Sequence, residues 1–436
     1  MNVLELSEQE IIRRNSMNEL RAMGIEPYPA AEYVTNAFST DIKAEFNDDA
    51  EPRQVSVAGR IMSRRIMGKA SFIELQDSKG RIQVYITRDD ICPDEDKEMY
   101  NTVFKRLLDL GDFIGIEGFV FRTQMGEISI HAKKLTVLAK SIKPLPIVKY
   151  KDGVAYDSFE DPELRYRQRY VDLIVNDGVK EKFLKRATVI KTMRAVLDEA
   201  GYTEVETPIL QSIPGGASAR PFITHHNSLD MDLYLRIATE LYLKRLIVGG
   251  FEGVYEIGKN FRNEGMDKNH NPEFTCMELY VQYKDYNWMM SFTEKLLERI
   301  CIAVNGCTET EIDGKTISFK APYRRLPILE AIKEKTGYDL EGKSEDEIRQ
   351  VCKELNMEID DTMGKGKLID EIFGEFCEGT FIQPTFITDY PVEMSPLTKM
   401  HRSKPGLTER FELMVNGKEL ANAYSELNDP IDQEER

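Results

Sequence analysis

Long apolar runs, a secretory leader, paired cysteines and an excess of positive charge are all missing from this 436-residue sequence. No apolar run approaches the ~20 residues that a membrane-spanning helix needs, and the N-terminus has no signal-peptide pattern. The six cysteines form no C-x-x-C pair, which favours buried thiols in a reducing cytoplasm over a disulfide framework. The net charge of −17 argues against a non-specific nucleic-acid coat, so any contact with nucleic acid must be local. The length predicts two or three domains, each with its own core.

Residues 255–283 are the most informative stretch, because two runs with period-2 alternation flank a charged loop. This pattern predicts an antiparallel hairpin with a long loop. In the second run one face is apolar and is expected in the core. The other face carries a mixed polar and aromatic set: Phe274, Cys276, Glu278, Tyr280 and Gln282. Such a face is either a binding floor or a wet surface.

The loop of this hairpin brings cationic, acidic and aromatic side chains to one end: Arg262, Glu264, His270, Asn271 and Phe274. An arginine fork suits a phosphate, and a ring face suits a purine. The run FRNEGMDKNHNPEFTCMELY resembles the second signature motif of the class II aminoacyl-tRNA synthetases, and in detail that of the lysyl-specific members. The resemblance implies that these five residues bind ATP, and that Arg262 and His270 are catalytic.

The same resemblance implies an amino-acid pocket and a reaction. The expected pocket residues are Gly216, Glu240, Glu278, Tyr280, Asn422, Tyr424 and Glu426. Glu240 is expected to hold the α-ammonium of lysine, Glu278 with Tyr280 its ε-ammonium, and Asn422 its carboxylate end. The implied reaction activates L-lysine with ATP to lysyl-adenylate and transfers it to tRNA(Lys). Neither step needs a protein nucleophile.

The last hairpin, RFELMVNGKELANAYSELNDP, is predicted from its Asn-Gly type I′ turn signal. With strict alternation Glu412 and Glu419 lie on the opposite face from the polar residues of 422–426. The resembled family uses positions like Glu419 and Glu426 together for Mg²⁺, so the sequence predicts a β-bulge near residues 420–421. Glu412, Glu419 and Glu426 are the expected magnesium ligands, since carboxylates suit a magnesium ion that bridges triphosphate oxygens.

Residues 54–145 read as about five short strands and one helix, which fit a small closed barrel of the OB type. In the lysyl-specific family, positions that match Phe72 and Gln83 stack on and hydrogen-bond the central anticodon uridine, with Glu127 alongside and the basic Arg65 nearby. Stacking and base-edge hydrogen bonds are how single-stranded bases are recognised. A lone phenylalanine on a barrel strand is otherwise a core residue, and that alternative stays open.

The predicted architecture is α+β, with an OB-type barrel followed by a class II catalytic domain that has an antiparallel sheet flanked by helices. The predicted segments are an N-terminal helical extension (1–53, with a helix at 7–23), the anticodon-binding barrel (54–145), a linker (146–165), and the catalytic domain (166–436) with a helical insertion (328–377).

A helix at 180–200 followed by the strand YTEVETPIL resembles the first class II motif. In the family this motif builds the dimer interface, so the resemblance implies a homodimer through residues 180–210. A core helix and an ordinary edge strand would give the same pattern.

Two other functions stay open at this point. One is a related enzyme that modifies a protein lysine, which would lack the barrel at 54–145. The other is a non-catalytic or fragmentary tRNA-binding derivative. The third class II motif, a glycine-rich strand and helix with an arginine over adenine, does not follow SELNDP. The chain is therefore expected to be truncated before it, and poorly soluble or defective in lysine adenylation.

Overall fold

The structure is a computed structural model that describes residues 6–146, 149–151, 154–156, 158–217, 219–267 and 270–436. It divides into two compact units, residues 1–180 and residues 181–436. The predicted linker at 146–165 lies partly outside the described residues. Within the described part of the chain, no helix is long and apolar enough to cross a membrane.

The first unit contains a closed five-stranded barrel with the strand order β1-β2-β3-β5-β4. The strands are β1 (Gln54–Met67), β2 (Ala70–Gln76), β3 (Arg81–Thr87), β4 (Phe113–Arg122) and β5 (Ile128–Ala139). β3 and β5 pair in parallel, and the other neighbours are antiparallel. Every second residue of β2 and β3 is buried, because inward-facing aliphatic side chains fill the barrel. The predicted OB-type barrel is confirmed.

The first unit also contains short helices and a small hairpin. They are α1 (Glu8–Ala22), α2 (Ser39–Glu45), α3 (Arg88–Ile91), a π-helix (Met99–Leu107), β6 (Lys149–Lys151), β7 (Val154–Tyr156), α4 (Pro162–Arg167) and α5 (Arg169–Val175). α1 is the helix predicted at 7–23, and its capping box forms: the Ser7 hydroxyl accepts from the Glu10 backbone N–H, and the Glu10 carboxylate accepts from the Ser7 backbone N–H.

The second unit contains most of α6 and the remaining α-helices and strands. They are α6 (Val179–Glu199), β8 (Thr203–Glu204), β9 (Leu210–Gln211), β10 (Ile223–His226), β11 (Met231–Leu235), α7 (Glu240–Val248), β12 (Gly253–Phe261), β13 (Glu273–Val281), α8 (Tyr286–Asn305), β14 (Glu309–Ile312), β15 (Lys315–Ser318), β16 (Arg324–Pro327), α9 (Ile328–Thr336), α10 (Glu345–Glu354), α11 (Lys365–Phe376), β17 (Thr385–Thr388), β18 (Arg410–Val415), β19 (Lys418–Tyr424) and α12 (Pro430–Glu435). The predicted helix at 180–200 is α6, and the helices predicted within 328–377 are α9, α10 and α11.

The strand predicted in YTEVETPIL, with Pro208 at its end, is β8, which pairs with β12. After Pro208 the chain forms β9, which pairs with β11 in another sheet. Pro208 lies between the two strands, and its missing N–H cannot continue a ladder. The change of partner therefore falls where the backbone cannot donate.

The predicted signature hairpin is β12 and β13, which pair in antiparallel register. Glu256 lies opposite Glu278, Gly258 opposite Cys276, and Asn260 opposite Phe274. These residues share one face of the sheet, because directly opposed residues point the same way. That face forms the floor of the site described below.

The last hairpin is β18 and β19, at the edge of the sheet β16-β17-β18-β19. Leu413 pairs with Ala421 but Met414 pairs with Glu419, so Leu420 is the extra residue of a β-bulge. Glu419 lies on the same face as Glu412, because its partner Met414 is two residues from Glu412. The bulge brings Asn422, the partner of Glu412, to this face as well. The bulge predicted near residues 420–421 is confirmed.

Candidate active site and nucleic-acid surface

Arg262 and Phe274 face each other at the loop end of the β12–β13 hairpin. The guanidinium carbon of Arg262 lies 5.2 Å from the centroid of the Phe274 ring. The Nε of Arg262 is buried, and no described residue accepts a hydrogen bond from it. A buried charged donor without an acceptor is costly, so a ligand anion would relieve it. This end of the hairpin fits a phosphate next to an aromatic ring.

The loop between the strands carries the other predicted ATP residues. The exposed His270 ring places Nδ1 2.8 Å from the carboxylate of Asp267. The Asn271 amide donates to the backbone carbonyl of Glu273 at 2.6 Å. The exposed Glu264 contributes a backbone N–H to the carbonyl of Arg262 at 3.0 Å. The loop therefore presents polar groups beside Arg262, although residues 268 and 269 lie outside the described residues.

Five of the predicted lysine-binding residues converge on one pocket. The Tyr280 hydroxyl donates to the Glu278 carboxylate at 3.2 Å, and the backbone N–H of Thr239 donates to it at 3.3 Å. The Tyr424 hydroxyl donates to Glu240 at 3.1 Å, which joins β19 to the start of α7. The negative charges of Glu240 and Glu426 also raise the pKa of Tyr280. Carboxylates from α7, from β13 and from the segment that follows β19 thus face one space.

Lys244 belongs to the same pocket, although the sequence-based prediction did not include it. Its ammonium contacts the Glu240 carboxylate and lies 2.7 Å from that of Glu426. Glu240 and Lys244 stand four residues apart on α7, the spacing at which helical ion pairs form. That spacing was the available signal in the sequence.

Burial and neighbouring charges in the pocket shift the pKa values of its residues. Burial raises the pKa of Glu426 to about 7, the Lys244 ammonium opposes this rise, and the Glu240 carboxylate adds to it. Burial and the neighbouring carboxylates raise the pKa of Tyr280 and of Tyr424 well above the usual range. Both phenols therefore remain protonated and act as donors. Carboxylates beside neutral phenols form a pocket for cationic groups.

Gly216 lies against this pocket in a conformation that requires glycine. Its φ is +89°, and a Cβ built there would lie 3.1 Å from the Cβ of Ala238 and 3.2 Å from that of Glu240. A side chain would be strained and crowded at this position. The absent side chain lets the backbone of this segment come close to Glu240.

The polar face of β12 is buried. The alternative that this face is a solvent-exposed surface is therefore wrong for β12. Glu256 is 5% exposed and Asn260 2% exposed. The Glu256 carboxylate is held 2.6 Å from Nη1 of the buried Arg236 and accepts from the Thr207 hydroxyl at 2.6 Å. Two partners satisfy this charge, which is how a carboxylate tolerates burial. Arg236 was absent from the sequence-based prediction.

The three predicted magnesium ligands do not form one group. Burial raises the pKa of Glu412, Arg410 opposes the rise, and the nearby Glu419 carboxylate adds to it. Glu426 instead contacts Lys244. The described residues contain no cluster of three or more metal-ligand side chains. The prediction is corrected for Glu426, because the last residues of the hairpin turn towards α7.

Glu412 and Glu419 by themselves fit a hard divalent cation. They are carboxylates close enough to repel each other on one face of the hairpin, and oxygen ligands of this kind suit Mg²⁺. Asn422 lies opposite Glu412, and its amide donates to the Glu412 carboxylate at 3.3 Å. Asn422 therefore stands between this pair and the pocket residue Tyr424.

The predicted anticodon residues lie on the outside of the barrel. Phe72 is only partly buried, next to a core made of its strand neighbours, so it is not a core residue. The guanidinium carbon of Arg65 lies 5.2 Å from the Phe72 ring centroid. The Gln83 amide donates to the Ser129 hydroxyl at 2.9 Å, and the exposed Glu127 pairs with Lys43 at 3.3 Å.

Phe72 is part of an aromatic band that the sequence-based prediction missed. The band consists of one residue from each of the five strands, and each residue is paired directly with the next: Arg65, Phe72, Tyr85, His131 and Phe119. The ring centroids of Phe72 and Tyr85 are 4.9 Å apart, and those of His131 and Phe119 4.8 Å. A band of partly exposed rings with an arginine at one end suits stacked single-stranded bases.

The barrel and the hairpin site each match a known protein family. Residues 55–138 match the OB-fold nucleic acid binding domain, and residues 161–436 match the tRNA synthetases of class II (D, K and N). The chain belongs to the class II aminoacyl-tRNA synthetases.

Whole-chain relatives place it more narrowly. The "Lysine--tRNA ligase" of Porphyromonas gingivalis W83 is 70% identical over 100% of this chain and 76% of its own length. That of Azobacteroides pseudotrichonymphae is 64% identical over 99% of this chain and 86% of its own length, and that of Christiangramia forsetii is 64% identical over 99% and 76%. Within the synthetases, the chain is a member of the lysine–tRNA ligase family of ATP-dependent ligases.

Proposed function

We propose that this chain activates L-lysine with ATP and transfers the lysyl group to tRNA(Lys). The observation that carries the proposal is the pocket of Glu240, Glu278 and Glu426 beside two protonated tyrosines. Lysine is the substrate of this class that brings two ammonium groups. A pocket for aspartate or asparagine would need a cation or neutral donors where these carboxylates stand.

In the first step the lysine carboxylate attacks the α-phosphorus of ATP and displaces pyrophosphate. Arg262, with its unsatisfied Nε, would receive the α-phosphate and stabilise the charge that develops on it. Phe274 would stack on adenine, and the exposed His270 would donate to an outer phosphate. Glu412 and Glu419 would hold Mg²⁺, which when bound supplies positive charge to the triphosphate oxygens.

The order of residues along β13 suggests how lysine lies. Each pair of residues advances a strand by roughly 7 Å, so Phe274, Glu278 and Tyr280 mark points at increasing distance from the ATP end. The lysine carboxylate must reach the α-phosphate, so Glu240 would hold the α-ammonium. Glu278 and Tyr280, further along β13, would hold the ε-ammonium together with Glu426.

In the second step the 3′-terminal hydroxyl of tRNA takes the lysyl group and AMP leaves. The tRNA would be selected in part by its anticodon at the outside of the barrel. Phe72 would stack on the central base, and Gln83 and Glu127 would hydrogen-bond its edge, with Arg65 over the stacked ring. The presence of this barrel speaks against the protein-modifying alternative.

The enzyme is expected to act as a homodimer through residues 180–210 and their neighbours. Large apolar side chains are exposed here on α6, on β9 and on either side of β9: Leu184, Ile209, Leu210 and Ile213. An exposed apolar patch of this kind is typical of a protein interface. Light scattering on purified protein checks the mass, and a monomer at micromolar concentration would contradict the dimer.

The expected compartment is the cytoplasm. All six cysteines are unpaired, and four of them are buried. Free thiols in this number are typical of proteins that work in a reducing environment.

The test of the proposed function is lysine-dependent ATP–pyrophosphate exchange on the purified protein. Exchange with lysine, and none above background with aspartate or asparagine, is expected. Exchange with aspartate or asparagine but not with lysine would overturn the substrate assignment.

A further inference from the structure

The side chain of Arg410, at the start of β18, lies across the polar face of the last hairpin. Its side chain is only 16% exposed. The guanidinium carbon lies 4.6 Å from the centroid of the Tyr390 ring, and Nη1 donates to the carbonyl of Met394 at 2.9 Å and to the hydroxyl of Ser395 at 3.3 Å. A planar guanidinium that is stacked on a ring and anchored by hydrogen bonds has little freedom to move. Arg410 is therefore a fixed donor within this face.

The other two nitrogens of Arg410 decide how the amide of Asn422 is turned. Nη2 contacts the carboxylate of Glu412, and Nε donates to Oδ1 of Asn422 at 3.3 Å. The Nδ2 of the same amide donates to the Glu412 carboxylate at 3.3 Å. Every arginine nitrogen is a donor and a carboxylate oxygen is an acceptor, so only one orientation of the amide satisfies both neighbours. The oxygen of Asn422 points to Arg410 and its nitrogen points away.

One N–H of Asn422 is left over at the place where the two ends of the site meet. No described residue accepts a hydrogen bond from the second hydrogen of its Nδ2, and the residue is exposed. Asn422 stands between the carboxylates of Glu412 and Glu419 on one side and Tyr424 on the other. In the proposed reaction the substrate carboxylate must lie between the phosphate end and the amino-acid end, because it bonds to the α-phosphorus. A carboxylate is an acceptor and matches this N–H.

We propose that Arg410 is a positioning residue for the carboxylate of the amino-acid substrate: it fixes the amide of Asn422 so that an N–H, and not the oxygen, faces that carboxylate. This inference rests on the proposed function. Without Arg410 nothing among the described residues holds the oxygen of the amide, so the amide is free to turn over. An amide oxygen turned towards the substrate would repel its carboxylate. Arg410 acts through Asn422 and takes no part in the chemical step.

The experiment compares two ligands on the full chain and on Arg410→Met. One is L-lysine, and the other is 1,5-diaminopentane, which is lysine without its carboxylate. Isothermal titration calorimetry gives the Kd of lysine, and competition titrations give that of the diamine. The variant is expected to bind lysine about tenfold more weakly, which is the size of one hydrogen bond to a charged group. Its affinity for the diamine should not change, because Arg410 serves only the carboxylate.

Three further variants complete the design. Asn422→Ala should show the same selective loss, and adding Arg410→Met to it should cost no further affinity, because the two residues act in series. Asn422→Asp keeps the shape of the side chain and the bond to Arg410 but has no N–H. It should weaken lysine binding and spare the diamine, and it tests the orientation even if Arg410→Met does not fold. Arg324→Met is the matched control, since this cation on β16 of the same sheet forms an exposed ion pair with Glu334, and it should bind both ligands normally.

The outcomes separate this inference from the proposed function. Equal losses for lysine and the diamine in Arg410→Met, or a loss that persists in the Asn422→Ala background, would overturn the positioning role. Parent-like lysine binding by Asn422→Asp would overturn it as well. Failure of the parent chain to bind lysine would instead overturn the proposed lysine specificity, and this inference with it.

Discussion

Glu278→Gln tests the pocket most directly, because the change removes a charge and keeps the shape of the side chain. Glu278 accepts from Tyr280 and from the backbone N–H of Thr239, and a glutamine oxygen can still accept both bonds. The ε-ammonium of lysine would then face a neutral amide. A hydrogen bond to a charged group contributes ~1.5–3 kcal/mol, so the expected loss is about 2 kcal/mol, or about 30-fold in Kd.

The assay for Glu278→Gln compares the Kd for lysine with the Kd for ATP by calorimetry on the same preparation. ATP affinity should change little, because Glu278 lies two residue pairs along β13 from Phe274. Glu273→Gln is the control on the same strand, since its exposed pair with Lys259 contributes little in solvent. Equal losses for lysine and ATP, or no loss of lysine affinity, would refute the assignment of Glu278.

Two further changes test the barrel and the buried floor. Phe72→Ala should lower tRNA affinity by roughly 1–3 kcal/mol, the contribution of one stacked base, in a filter-binding assay. Lysine-dependent exchange should not change, and a parallel fall in exchange would mean that Phe72 has a structural role. Glu256→Ala should lower the free energy of unfolding in urea by about 3–5 kcal/mol, because it leaves the Arg236 guanidinium buried without its carboxylate. Glu199→Ala, which breaks an exposed ion pair, should cost under about 1 kcal/mol, and equal costs would contradict the argument.

The hairpins were predictable because local rules and tertiary packing agree there. Strict alternation in residues 255–283 specifies which residues share a face, and the paired strands follow it. The bulge at Leu420 was inferred because two sets of polar residues could share a site only if one extra residue separated them. Sequence spacing therefore carried information about register as well as about chemistry.

The buried pair of Glu256 and Arg236 could not be predicted, because its two residues come from different segments of the chain. Glu256 looks like a solvated charge in the sequence, and charged residues are usually exposed. Its partner Arg236 follows β11, and nothing in the local pattern of either residue indicates the pairing. The predicted magnesium group of Glu412, Glu419 and Glu426 did not include the contact of Glu426 with Lys244 for a related reason. The direction of the chain after β19 brings Glu426 to Lys244.

The single extra residue at Leu420 decides which side chains of β19 share a face. Glu419 before it is proposed to serve the phosphate end, and Asn422 and Tyr424 after it the amino-acid end. If the same strand paired with strict alternation and no bulge, Asn422 and Tyr424 would turn to the opposite face of the sheet, away from Glu412 and Glu419. The bulge shifts the alternation of the second half of β19 by one residue, so that a single strand can face both substrates.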